Sequence, residues 1–175
     1  MIIKSIKLKV LEYFLLNPTK KLRVREIERK AKVPLPSAIR YAKELEKEGI
    51  LKATEISTIR FYEADRSSKK FLMEKKLYNI RSIIESGIVE YVAFECSNPV
   101  LVVFGSYSRG EDTETSGVDL YIESHKKPDI SEFERKLHRK IQLFAYDDIN
   151  HVKNKELANS IINGIALNGF LEVLK

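Results

Sequence analysis

The stretch Phe104–Ser124, FGSYSRGEDTETSGVDLYIES, concentrates the residues of this 175-residue chain whose types and spacing could do chemistry. An apolar run, Val100–Phe104, ends in Gly105-Ser106. A glycine-containing turn after a buried strand can present backbone N–H groups to a phosphate. Asp119 follows in an extended segment with Tyr121 and Glu123, and side chains two apart on a strand share a face. A carboxylate at position 117 would give a second acid on that face, as a divalent-cation clamp requires. The residue there is Gly117. The loop acids Glu111, Asp112 and Glu114 read as a solvated turn.

The elements that must position these residues follow from apolar patterning. Val100–Ser106 and Gly117–Ser124 are strands. Residues 131–140 form a helix with Phe133, Leu137 and the stem of Lys140 on one stripe. Residues 141–147 form a third strand. Residues 154–174 form a final helix, interrupted or ended near Gly164 and Gly169.

In sequence order this region resembles the nucleotidyltransferase domain of the DNA polymerase beta superfamily, in its minimal prokaryotic form, over about residues 98–175. Gly105-Ser106, Arg109-Gly110, Ser116, Asp119 and Leu120 match that family's Gly-Ser, Arg-Gly and Ser-Asp-x-Asp-hydrophobic pattern; Gly117 does not. The family's third carboxylate falls on a later strand, and its counterpart in IQL is Gln142. Such enzymes hold two divalent metals about 3.5–4 Å apart between carboxylates. A glycine supplies no ligand, and a neutral amide is a poor one for Mg²⁺, so Asp119 alone is a vestigial catalytic acid and a weak metal candidate. The resemblance implies nucleotide binding through Gly105, Ser106 and Arg109. It implies no cofactor, with Mg²⁺ or Mn²⁺ needed only if the site is active.

The N-terminal part has a different character. Residues 1–66 hold 16 Lys+Arg against 9 Asp+Glu, and residues 99–175 hold 10 against 12, so the chain's positive charge is concentrated at one end. A localised positive field favours polyanions, nucleic acid first. Residues 5–16 place Ile6, Val10, Tyr13, Phe14 and Leu16 at helical spacing. Val24–Ala31 is a second helix, with Val24, Ile27 and Ala31 on one face. Pro36–Glu48 is a third, with Ala38, Tyr41, Ala42 and Leu45 inward and Gly49 ending it. Leu51–Ile56 and Ile59–Ala64 make a hairpin about Ser57-Thr58.

Three short helices and a hairpin is the winged-helix order. Residues 32–51, KVPLPSAIRYAKELEKEGIL, resemble the recognition segment of winged helix-turn-helix regulators of the arsenic-repressor and multiple-antibiotic-resistance-repressor type. That resemblance implies double-stranded DNA as a partner. Ser37 and Arg40 would lie at base edges, and Lys43, Lys47 and the hairpin residue Arg60 at phosphates. Residues 67–86 continue as a long helix with Phe71, Leu72, Leu77, Ile80, Ile83 and Ile84 at helical spacing, and 88–96 as another. Regulators of this kind pair on two-fold DNA sites, so residues 67–97 are a linker and a candidate homodimer contact.

The composition limits the alternatives. One cysteine, Cys96, excludes an internal disulfide framework, and three scattered histidines make a structural zinc site improbable. No apolar run approaches the roughly 18 residues of a membrane span, and the first ten residues do not read as a signal peptide. A cytoplasmic protein is expected. Lys and Glu abound and glutamine occurs once, a bias of proteins from heat-loving organisms. The expected fold class is α+β in two domains: a winged helix over 1–66 and a small nucleotidyltransferase-like domain with a short mixed sheet over 98–175. The expected function is a DNA-binding transcription regulator of archaeal type. Its second domain would be a pseudoenzyme acting as scaffold, dimer contact or nucleotide sensor. The alternatives are an active, metal-dependent nucleotidyltransferase tethered by its winged helix, and an interaction module paired with a helical partner protein.

Overall fold

The computed structural model describes residues 5–173. The chain divides into two compact units, with the division between Lys75 and Lys76.

In the first unit, α1 (Ile6–Leu16), α2 (Val24–Ala31) and α3 (Leu35–Lys47) precede an antiparallel hairpin of β1 (Leu51–Ile56) and β2 (Ile59–Ala64). Ser5 caps α1 by accepting from the Leu8 N–H, which satisfies one of the four free donors of a helix start. Val10, Leu11, Phe14 and Leu15 are its buried residues. Ile6 and Leu16, expected on the apolar face, are exposed. Leu11 and Leu15 take those places because the stripe that meets the core runs i, i+1, i+4, i+5. On α3, Ala38, Ala42 and Leu45 are fully buried; small residues at i and i+4 allow close helix packing. Gly49 ends α3 at φ +73, and the Ile50 N–H returns to the Leu45 carbonyl at 2.9 Å, the glycine-terminated cap of such helices. The hairpin reverses through Ser57 at φ +57.

Helix α4 (Lys69–Ser86) carries the chain from the first unit into the second. The second unit continues with α5 (Ile88–Glu95), β3 (Leu101–Phe104), α6 (Gly105–Arg109), β4 (Val118–Glu123), α7 (Ser131–Leu137), β5 (Ile141–Tyr146), α8 (Lys155–Ile162) and β6 (Ile165–Asn168). The four strands form one mixed sheet in the order β5-β4-β3-β6, with only the β4–β5 pair parallel. One sheet face packs Leu101, Val103, Leu120 and Ile122 against Ile83, Ile88, Val92 and Phe133. The other packs Val102, Phe104 and Tyr121 against Ile149, Val152 and Ile161. Burial of both faces explains the almost unbroken apolar sequence of β3 and β4.

Three expectations need correction here. The single helix expected over 154–174 stops at Ile162, and Ile165–Asn168 is a strand antiparallel to β3; Leu174 lies outside the described residues. Gly164 causes the break: a Cβ there would stand 2.6 Å from Val102 Cγ1 and 2.7 Å from the Val103 carbonyl oxygen. Only hydrogen fits where the chain turns into the sheet. Helix α7 ends at Leu137, with His138 left-handed at φ 51. Lys140 is therefore off the stripe, exposed and paired with Glu134 at 3.1 Å. The segment after Gly105-Ser106 is the short helix α6, where the sequence suggested an open loop.

Candidate functional site

The site is built where β3 gives way to α6 and where β4 and β5 begin. Phe104 pairs with Asp119 across the β3–β4 ladder, and Asp119 pairs with Gln142 across β4–β5. Positions 117, 119 and 142 therefore face the same side of the sheet. The strand register thus places Gln142 beside Asp119.

Gly105 has φ +73, and a Cβ on it would overlap the Asp119 carboxylate at Oδ2. Glycine is needed there for two reasons, the left-handed backbone and the close approach. Asp119 is half-buried and forms no ion pair or hydrogen bond among the described residues. Burial alone pushes its carboxyl pKa above the usual range, since a low-dielectric setting disfavours the charged form. Gln142 is exposed. At Gly117 a Cβ would sit 3.1 Å from the Lys140 carbonyl oxygen, which already accepts the Val118 N–H at 2.8 Å.

The loop between α6 and β4 is held from below. Gly110 is left-handed at φ 75 and closes α6, and the Glu111 N–H donates to the Ser106 carbonyl at 3.0 Å. Asp112 is buried, against the reading of the loop acids as solvated. The Asn79 amide donates to Asp112 Oδ1 at 2.7 Å and to the Tyr107 carbonyl at 2.8 Å. Arg139 lies 3.4 Å from Asp112 Oδ2 and donates to the carbonyls of Thr113 and of Ser116, the latter at 2.9 Å. The Ser116 hydroxyl accepts the Thr113 N–H at 2.9 Å. Buried charges of this kind persist only when paired and hydrogen-bonded. The trio Asn79, Asp112 and Arg139 was missed in the sequence. The one available signal was Asn79 itself, a polar residue four after Lys75 and four before Ile83 on the inward stripe of α4.

Of the expected nucleotide ligands, Gly105 and Ser106 open α6 beside Asp119. Arg109 is exposed and pairs with Glu111 at 2.7 Å. A divalent metal pair needs several converging carboxylates. Among the described residues no group of three or more His, Cys, Asp or Glu is placed to hold a metal ion. One carboxylate, one amide and a glycine do not fit such a pair.

In the first unit, Arg40, Lys43 and Lys47 are exposed on α3, and Ser37 is half-buried near its start. Arg40 lies 5.3 Å from the Tyr41 ring centroid. Arg60 is not an unmatched cation. It donates from Nη2 to both oxygens of Glu46, at 2.7 and 2.8 Å, and from Nη1 to Glu55 at 3.0 Å. The hydrogen bond to Glu46, and after it the interaction with Tyr62, raises its pKa further. The sequence also passed over α2, where Arg25, Arg29 and Lys30 are exposed.

Residues 85–162 match the model of the nucleotidyltransferase domain. The second unit thus carries a nucleotidyltransferase domain, within an α+β chain with small sheets. A candidate protein adenylyltransferase of Methanocaldococcus jannaschii is 46% identical over 33 residues, 19% of this chain and 38% of that protein. A solved structure described as a possible transcriptional regulator from Methanosarcina mazei aligns at 18% identity and a TM-score of 0.35. The alignment spans 42% of this chain and 63% of that one, a likeness too low to define a shared fold. Among the described residues, no helix is long and apolar enough to cross a membrane.

Proposed function

We propose that this protein is a DNA-binding regulator whose nucleotidyltransferase domain has lost nucleotidyl transfer and serves as scaffold or nucleotide sensor. The observation that carries the second half is the register around Asp119. Its strand partner is Gln142 and its same-face neighbour is Gly117, so the three acid positions hold one acid. A metal-bridged transfer needs that clamp, because the cations orient and neutralise both reacting oxygens. What this chain's residues can still do is narrower. The amides at Gly105 and Ser106 can hold a phosphate oxygen, and Gln142 can hydrogen-bond a ligand without regard to metal.

The DNA-binding half is supported by α1–α3 with a hairpin, by the basic excess of residues 1–66, and by Arg40, Lys43 and Lys47 exposed on one helix. In this winged-helix reading Arg40 reaches base edges and the lysines reach phosphates. Double-stranded DNA is the partner, read by a homodimer.

Two experiments test the two halves separately. Titration of labelled duplex against the full chain at several salt concentrations should give affinity that falls with salt. Arg40→Ala should lose roughly 1–3 kcal/mol of specific binding. Absence of binding by wild type at low salt ends the DNA reading. For the domain, Mn²⁺ should leave the wild-type melting temperature unchanged. Gly117→Asp with Gln142→Asp should melt lower in chelator and recover as Mn²⁺ rises, because a ligand of the folded state stabilises it. Gain by wild type in low-millimolar Mn²⁺ would show that a further acid completes the site, and nucleoside-triphosphate turnover lost in Asp119→Ala would establish the active transferase.

A further inference from the structure

Helix α3 with its cap carries no net charge: residues 35–48 hold Arg40, Lys43 and Lys47 against Glu44, Glu46 and Glu48. At 100° per residue the three cations fall within about 60° of one another, on the side away from Ala38, Ala42 and Leu45. The carboxylates flank this stripe, Glu44 and Glu48 on one side and Glu46 on the other. Their spacing invites pairing within the helix, Arg40 with Glu44 at i,i+4, and Lys43 with Glu46 and Glu44 with Lys47 at i,i+3. None of these pairs forms among the described residues; each carboxylate is taken by a cation from another element. Lys7, on α1, donates to Glu44 at 2.7 Å and to Glu48 at 2.6 Å. Arg60, on β2, holds both oxygens of Glu46 and one of Glu55. The hydrogen bond to Glu44, and after it the one to Glu48, raises the pKa of Lys7. The bond from Lys7 lowers that of Glu44. Arg40, Lys43 and Lys47 stay exposed.

We propose that Lys7 and Arg60 are positioning residues for DNA binding: they hold three carboxylates off the basic stripe and leave Arg40, Lys43 and Lys47 free to face the duplex. Both roles rest on the DNA-binding reading of this unit. Each cation that meets a phosphate releases condensed counterions, and that release supplies most of the sequence-independent affinity. A cation paired within its own helix must first leave its carboxylate, and so gives up part of this gain. An unmatched carboxylate beside the stripe also lies within a Debye length, about 10 Å at 0.1 M salt, of any phosphate the stripe touches, and repels it. Lys7 and Arg60 remove both penalties, and a helix of no net charge presents a positive face. Arg60 thereby acts through Glu46 rather than on a phosphate, which explains why a cation on the hairpin is fully engaged by carboxylates. Exposed pairs of this kind add little to stability. Their effect is on which charges point outward.

Titration of a labelled, mixed-sequence duplex against the full chain at several salt concentrations tests this, since the sequence-independent term is the one at issue. Arg60→Ala should weaken binding about tenfold at low salt and reduce the salt slope by about 1, as the released Glu46 pairs with Lys43. Adding Glu46→Gln should bring affinity back to within about twofold of wild type and restore the slope. Adding Glu63→Gln instead restores the same net charge on the opposite face of the hairpin, and should leave binding weak. Lys7→Ala should behave as Arg60→Ala does, and be restored by Glu44→Gln with Glu48→Gln. Circular dichroism should be unchanged throughout. If Arg60 itself met a phosphate, its loss would survive Glu46→Gln. That result, rescue by Glu63→Gln as complete as by Glu46→Gln, or an Arg60→Ala chain that binds as wild type does would each overturn the assignment and leave the DNA reading standing. Absence of binding by wild type at low salt would overturn both.

Discussion

Arg139→Ala should be among the most damaging substitutions in the second unit, although Arg139 touches neither Asp119 nor Gln142. Asp112 has no side-chain exposure and Arg139 only 9%. Removing the guanidinium leaves a carboxylate buried without the cation facing it and strips the Thr113 and Ser116 carbonyls of their donor. Breaking a buried pair from one side costs about 3–5 kcal/mol. A unit of this size shifts by about 4 °C or more per kcal/mol, so its melting should fall by at least about 12 °C. Hydrogen exchange read by mass spectrometry on peptides of β3, β4 and β5 isolates this unit's opening free energy from that of the first. The charge argument makes a second demand. Asp112→Asn added to Arg139→Ala removes the stranded charge and should recover part of the loss, leaving the roughly 1–2 kcal/mol of missing hydrogen bonds. A cost below about 1 kcal/mol for Arg139→Ala, or no recovery in the double variant, would refute the reasoning.

Asp119 predicts a pH dependence with a definite sign. Its folded pKa lies above the unfolded value because of burial, so the folded state holds the proton more tightly. Stability from this group is greatest below the ordinary carboxylate pKa and falls as pH rises through the raised one. Asp119→Asn should therefore gain on wild type in melting temperature between about pH 4 and pH 7; parallel curves would show that Asp119 is not desolvated. Gly164→Ala should destabilise the second unit by about 1–3 kcal/mol through overpacking, because the Val103 carbonyl 2.7 Å away cannot retreat without disturbing the β3–β6 ladder. A change within about 0.5 kcal/mol in urea unfolding would show that the backbone yields there.

The sequence by itself determined the local elements and the identity of the domain. The bounds of α2, β1 and β2, and the ends at Gly49 and Gly87, were legible because caps, prolines and alternation act over a few residues. The Gly-Ser and SGVDL motifs were legible because a strand fixes which residues share a face. What only the tertiary structure decided depends on residues far apart in the chain. No local pattern shows that Gln142 stands beside Asp119, which the parallel β4–β5 register sets. None shows that Asp112 is buried, which requires Asn79 and Arg139 to arrive from either side of the sequence. Ile165–Asn168 is helical by its surroundings and a strand only because the edge of β3 is there to pair with. On α4 the apolar residues could be found at helical spacing. Which face turned inward was settled by the buried partners that Lys75 and Asn79 found, since a hydrogen-bonded polar group can occupy a core position and leave leucine and isoleucine outside.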